Sequence, residues 1–190
     1  MPIAYNRLPT RFEDKRHEAI AEGLRAAGYD VRAAGGPTRP DDILVTWNLY
    51  GSRFQEAEAA RKACQAETLV AEEAHLRVIQ GQKHFQLALG GHNGWGRFRV
   101  GGPERWDRWE IPVSPWRTDG EHVLVCAQRG FGYNRMAMPN DWPQEILSAL
   151  RSATKRPLWF RAHPKLREPQ KPRGYDKLCD ISKPLVEDLR

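Results

Sequence analysis

Four short stretches carry the residue types that chemistry needs. Arg161-Ala162-His163-Pro164-Lys165 closes an apolar run with two cations and a histidine, stiffened by a proline. Charge-assisted bonds from Arg161, His163 and Lys165 suit a phosphate or diphosphate. The same residues also suit a plain strand end whose cations reach solvent. Glu72 and Glu73 follow Thr68-Leu69-Val70-Ala71. A carboxylate there suits a general base toward a hydroxyl, provided burial or its neighbour raises its pKa. A solvated acidic pair is the alternative. Gly90-Gly91-His92-Asn93-Gly94-Trp95-Gly96 is too rich in glycine for a helix. Its backbone can approach a ligand closely, with His92, Asn93 and Gly94 at the contact, or it is simply a wide loop. Gln128-Arg129-Gly130-Phe131-Gly132 can cradle phosphates with backbone N–H groups and Arg129, or carry glycine for turn geometry alone.

Other chemistries lack their residues. The six histidines are scattered, and the HEXXH, paired CXXC and EF-hand spacings are absent, so no metal site is expected. There is no Gly-x-Ser-x-Gly elbow, and no Gly-Lys-Ser/Thr follows the glycine-rich loop to make a nucleoside triphosphate cradle.

The elements that must position these residues read as α/β. Val123-Leu124-Val125-Cys126 predicts a strand. The next helix is capped by Asp141 with Gln144 in the reciprocal position, and Pro143 stands in its first turn. Ile146, Leu147 and Leu150 give that helix an apolar stripe, and Leu158-Trp159-Phe160 is the strand beyond Pro157. Strand, helix and strand in this order imply a parallel pair with a right-handed crossover. Ligands of such units bind at the carboxyl ends of the strands.

The first half repeats the alternation. Strands are expected at Pro2 to Tyr5, Tyr29 to Ala33, Ile43 to Trp47, Thr68 to Ala71 and Phe85 to Leu89. One helix runs from Glu13 to Ala27 and stops at Gly28. A second starts at Ser52, with Gln55 three residues on, and buries Phe54, Ala57, Ala60 and Cys64. The continuous apolar run Ile43-Leu44-Val45-Thr46-Trp47 fits a central parallel strand. Residues 97 to 120 show no period and read as a connection, and Ser182 to Arg190 as a short helix. The expected fold is therefore a Rossmann-like, open, mostly parallel sheet or sheets. The expected division is residues 1–112 and 113–190.

The 190 residues suffice for a real core. Apolar content of 40% against 28% charged is that of a soluble globular chain. No apolar run is long enough for a membrane span. The N-terminus shows no signal-peptide pattern. Three cysteines, an odd number and far apart, fit free thiols in a reducing cytoplasm, with Cys64 and Cys126 on buried faces. A net charge of +6 favours anionic partners such as nucleotides, nucleic acid or phosphorylated glycans, without choosing among them. Several of the seven tryptophans are expected to line a cleft.

Five blocks in order carry a family resemblance. They are Leu69-Val70-Ala71-Glu72, Gly91-His92-Asn93-Gly94-Trp95-Gly96, Pro115-Trp116-Arg117, Gln128-Arg129-Gly130, and Arg161 to Pro164. This order resembles phage-encoded and bacterial glycosyltransferases of the GT-B type. The ending at Arg161 to Pro164 is also similar to the donor half of capsule-polysaccharide-type transferases. The resemblance covers about residues 40 to 190.

It implies two Rossmann-like halves, residues 1–112 on the acceptor side and 113–190 on the donor side. A nucleotide-sugar donor would be the co-substrate, with no bound cofactor or metal. Glu72 would be the base, and Arg129 and His163 would meet the donor diphosphate, beside Gly130, Arg161 and Lys165. His92, Asn93, Gly94 and Glu73 would face the acceptor, a hydroxyl of a modified DNA base or a surface glycan. The location implied is the cytoplasm, the host's if the chain is phage-encoded. Relatives carry a glycine where this chain has Ala74, and they continue beyond the position of Arg190 through a Ser- and Ala-rich segment that completes the donor pocket. The second half is therefore expected to be incomplete. A non-catalytic α/β protein binding nucleic acid or a host protein through a basic cleft is the competing expectation.

Overall fold

The computed structural model describes residues 1–10, 15–116, 118–128, 139, 141–166, 168 and 170–189, with no description of the side chains of residues 75, 77, 93 and 105. The chain divides into two compact units, Met1–Pro112 and Val113–Arg190. Both are mixed α/β, and both sheets are built mostly or wholly of parallel strands.

The first unit holds β1 (Ile3–Asn6), α1 (Arg16–Ala26), β2 (Asp30–Arg32), β3 (Ile43–Trp47), α2 (Ser52–Cys64), β4 (Glu67–Ile79), β5 (Gln82–Leu89) and α3 (Glu104–Trp109). The sheet order is β2-β1-β3-β4-β5, parallel except for β5. All five residues of β3 are buried. A strand buried on both faces needs a helix on each. Ile43, Val45 and Trp47 pack with Ala4, Ala71 and Leu24 of α1, whereas Leu44 packs with Tyr5, Val70 and Ala57 of α2.

Asp42 fixes the amino end of β3. It is 1% exposed. Its carboxylate accepts from the N–H groups of Ile3 and Thr38, both at 3.0 Å, and from Arg39 Nη2 at 3.0 Å. Burial pushes this carboxyl up, but the Thr38 and Ile3 N–H groups and Arg39 outweigh it and hold it well below the ordinary aspartate range.

The structure alters the expected elements in several places. The strand at Thr68 does not stop at Ala71. It runs on to Ile79 and pairs antiparallel with β5 as a long hairpin, with a register shift between Glu73 and Val78. The turn is Gln80-Gly81, with φ of 50° and 77°. Positive φ at both central residues is what the favoured two-residue hairpin turn requires. Gly51, not Ser52, is the N-cap of α2. Residues 97 to 120 include α3 as well as a connection. The first helix begins at Arg16; Glu13, its expected start, lies outside the described residues.

The second unit holds β6 (Val123–Cys126), α4 (Trp142–Ala153), β7 (Leu158–Arg161) and β8 (Lys177–Leu178), ordered β6-β7-β8 and all parallel. Leu147 of α4 is fully buried against Val125, Leu158 and Phe160. Asp141 is the N-cap but makes no side-chain capping bond. Gln144 instead accepts from the N–H of Arg173 at 2.7 Å, tying α4 to the following loop. The C-terminal helix is a 3-10 turn, Leu185–Leu189. Cys126, expected to be buried, is exposed at the end of an edge strand, and Cys179 is the buried thiol. Trp116 is 97% exposed. No helix among the described residues is long and apolar enough to cross a membrane.

Asp42→Ala should cost about 3 kcal/mol in urea unfolding, because it strands several buried donors at once. The depressed carboxyl gives a signed pH effect. Its contribution is fully present above about pH 4, the ordinary aspartate value, and is lost as pH falls below that. Acid unfolding of Asp42→Asn should therefore be less steep than that of the parent chain.

Candidate functional site

The first unit gathers titratable groups beside the start of α2. Tyr50 follows β3, and its hydroxyl lies 3.1 Å from His92 Nε2, with the two rings packed edge to face at 5.1 Å. Half-burial of His92 pushes its pKa down, and the Glu72 carboxylate opposes that shift. Burial thus favours the neutral imidazole, and the carboxylate stabilises the ring when it takes a proton.

Glu72 sits where parallel pairing ends, one residue beyond the Trp47–Ala71 pair. Val70 packs on the α2 face. Side chains two apart along a strand share a face, so Glu72 points to the α2 side. It is not a strand terminus, as expected from sequence, because β4 continues into the hairpin opposite Gln86. Glu73 is exposed, and its N–H donates to Glu72 Oε1 at 2.9 Å, which helps fix that carboxylate.

His92 arrives by a less obvious route. β5 runs antiparallel, so the glycine-rich loop leaves the sheet level with the start of β4, where the Gly90 N–H donates to Thr68 O at 2.8 Å. A 3-10 turn, Asn93–Trp95, follows, with Gly94 exposed; the Asn93 side chain is outside the described residues. The loop is tightly packed. A Cβ on Gly96 would lie 2.5 Å from the Ala88 Cβ. This glycine therefore serves close approach of the chain to itself.

In the second unit the expected phosphate ligands separate. Arg161 is 8% exposed and paired with buried Asp188. Its guanidinium also donates to the carbonyls of Asp180 at 3.1 Å and Lys183 at 2.6 Å. These bonds clamp the C-terminal segment to β7, and they correct the expectation of Arg161 as a ligand-facing cation. His163 is half-buried just beyond β7, and its Nδ1 accepts from the Lys165 N–H at 3.1 Å. That bond places the proton of a neutral ring on Nε2. Lys165 is exposed beside it. Arg129 and Gly130 lie outside the described residues. Burial pushes the Cys179 thiol up to about 11. It is therefore not a nucleophile at neutral pH.

Sequence reasoning missed two features of the first unit. One is Tyr50, which reaches His92 across 42 residues. The other is a cavity of about 390 Å³ lined by Arg7, Thr46, Ser52, Arg53 and Glu56. It lies at the carboxyl ends of β1 and β3, between which the strand order reverses. Ligands of open parallel sheets bind at such a place. Among the described residues no group of three or more His, Cys, Asp or Glu could hold a metal ion.

Two measurements check these assignments. In an NMR titration the His92 ring should reach its midpoint below 6.5, its ordinary value, and Glu72→Gln should move the midpoint further down. A midpoint above that ordinary value would contradict the burial argument. Arg161→Ala should cost about 3–5 kcal/mol in urea unfolding, the penalty for leaving a buried carboxylate unpaired. A surface phosphate ligand would cost under about 0.5 kcal/mol.

No family model, curated protein or solved structure matches the chain.

Proposed function

We propose that the chain is a GT-B-like glycosyltransferase that moves a sugar from a nucleotide-sugar donor to a hydroxyl, and that the first unit activates this hydroxyl. The observation that carries the reading is the Tyr50–His92 pair next to Glu72. His92 Nε2 already holds one hydroxyl oxygen, that of Tyr50, at 3.1 Å. An acceptor hydroxyl that displaces the Tyr50 hydroxyl from this position is within proton-transfer distance.

In the proposed step the acceptor oxygen attacks the anomeric carbon as His92 takes its proton. The bond from that carbon to the donor phosphate breaks, and the nucleoside diphosphate leaves with the electron pair. Glu72, the base expected from the resemblance, stabilises the imidazolium so formed. Within the second unit the resemblance implies His163, Lys165, Arg129 and Gly130 as donor-side residues; Arg161 is left out because its guanidinium is held by Asp188. The donor is a co-substrate, and the acceptor is a hydroxyl of a modified DNA base or of a glycan.

The second reading is a non-catalytic binding protein for nucleic acid or a host protein. The structural use of Arg161 favours it, since it removes one cation from the expected diphosphate site.

One assay separates the two. The chain is incubated with a panel of nucleotide sugars and with hydroxymethylated DNA or glycan acceptors, and nucleoside diphosphate release is measured. Transfer predicts release that falls about 10²–10⁴-fold in His92→Ala, the usual worth of a positioned base. Release from no donor, together with salt-dependent DNA binding, would support the binding protein instead.

A further inference from the structure

We infer that the cavity at the carboxyl ends of β1 and β3 is a binding site for a small phosphorylated ligand that also bears hydroxyl groups. Three independent observations converge on it. First, Thr46 lines the cavity and is 2% exposed, yet its Oγ1 has no hydrogen-bond partner among the described residues. A buried hydroxyl without a partner is costly, and a site that receives a ligand explains its retention. Second, α2 begins at the cavity with Ser52 and Arg53. The first N–H groups of a helix have no carbonyl of their own helix to bond. Here the N–H groups of Phe54 and Gln55 donate to Gly51 O at 3.2 and 3.4 Å, so Ser52 and Arg53 carry the N–H groups at issue; no side chain among the described residues caps the helix, and no acidic residue occupies its first turn. An anion placed there meets both the N–H groups and the positive end of the helix dipole. Third, Arg7 and Arg53 line the space, and their guanidinium groups are already held in place. Arg7 donates to the carbonyls of Ala33, at 2.9 Å, and of Gly35. Arg53 donates to Asn48 Oδ1 at 2.6 Å. Each bond uses only part of the five donors that a guanidinium carries.

Gly35 supports the arrangement. Its φ is +92°, and a Cβ there would come within 2.8 Å of the Tyr5 ring. Only glycine lets this loop lie where its carbonyl receives Arg7.

Glu56 narrows the ligand class. It lines the same cavity, and its carboxylate would repel a bare anion. It suits hydroxyl groups, which donate to it. A phosphate at the start of α2 with a polyol portion toward Glu56 satisfies both ends, as in a sugar phosphate or the ribose phosphate of a nucleotide. The cavity, about 390 Å³, accommodates such a molecule. The inference goes beyond glycosyl transfer and stands without it, because binding here needs neither a donor nor turnover.

Isothermal titration calorimetry of the whole chain with ribose 5-phosphate tests it, with inorganic phosphate and ribose as partial ligands. Ribose 5-phosphate should bind at least tenfold more tightly than either. Arg53→Gln should weaken it about tenfold. Thr46→Val should weaken it several-fold while raising the thermal midpoint of the ligand-free chain, since the orphan hydroxyl is gone. Undetectable ribose 5-phosphate binding at millimolar concentration overturns the assignment, as does binding that neither substitution changes. Inorganic phosphate binding as tightly as ribose 5-phosphate overturns the role given to Glu56 and with it the ligand class. Should Thr46→Val fail to fold, Arg53→Gln at the cavity rim still decides the matter.

Discussion

The burial of β3 on both faces is the constraint on which the first unit depends. Five consecutive buried residues leave no solvated side, so α1 must cover one face and α2 the other. Parallel pairing on both edges then aligns the carboxyl ends of β1 and β3 with Ala71, in the middle of β4. Asp42 secures the opposite end with backbone bonds to β1 and the preceding loop. The turn after Trp47 must leave the sheet sharply to start α2, and it does so through Asn48 and Gly51, both at positive φ. That turn delivers Tyr50 and the uncapped helix start to one place. The chemistry proposed for this unit follows from where a buried strand has to end.

Charge is distributed accordingly. Near α2 the groups are held in defined ways: burial lowers the His92 pKa, Glu72 is fixed by the neighbouring N–H, and Arg7 and Arg53 are tied to carbonyl oxygens. In the second unit a deeply buried charge, Arg161, serves architecture. It joins β7 to the 3-10 turn through Asp188, a long-range clamp in a unit whose sheet has three strands among the described residues. Such pairs are costly to break and contribute little when intact, so their value lies in fixing one arrangement of the chain.

Much of the fold was legible in the residues. The apolar run of β3, the stripe of α4 and the strand-helix-strand order from Val123 to Arg161 follow directly from periodicity. The β4–β5 hairpin was not, because the apolar run ends at Glu72 and the strand is completed by its partner. The Gln80-Gly81 turn was the available signal. Glu72 and His92 were legible as candidates, whereas Tyr50 was not, since no spacing rule links residues 42 apart. Arg161 looked like a ligand because its partner stands 27 residues later in the chain. Thr46 read as one more residue of a buried strand. Its missing partner emerges only when the surrounding atoms are placed.

The central claim is that the carboxyl edge of the β1–β3 pair, on the α2 face, is the working face of the first unit. The most direct measurement is a crystal structure of the chain grown with a sugar phosphate. Phosphate density between Thr46 and the first turn of α2, with sugar hydroxyls toward Glu56, is the predicted result. A cavity holding only ordered water bonded to Thr46, with the sugar phosphate bound elsewhere on this unit, would contradict the account.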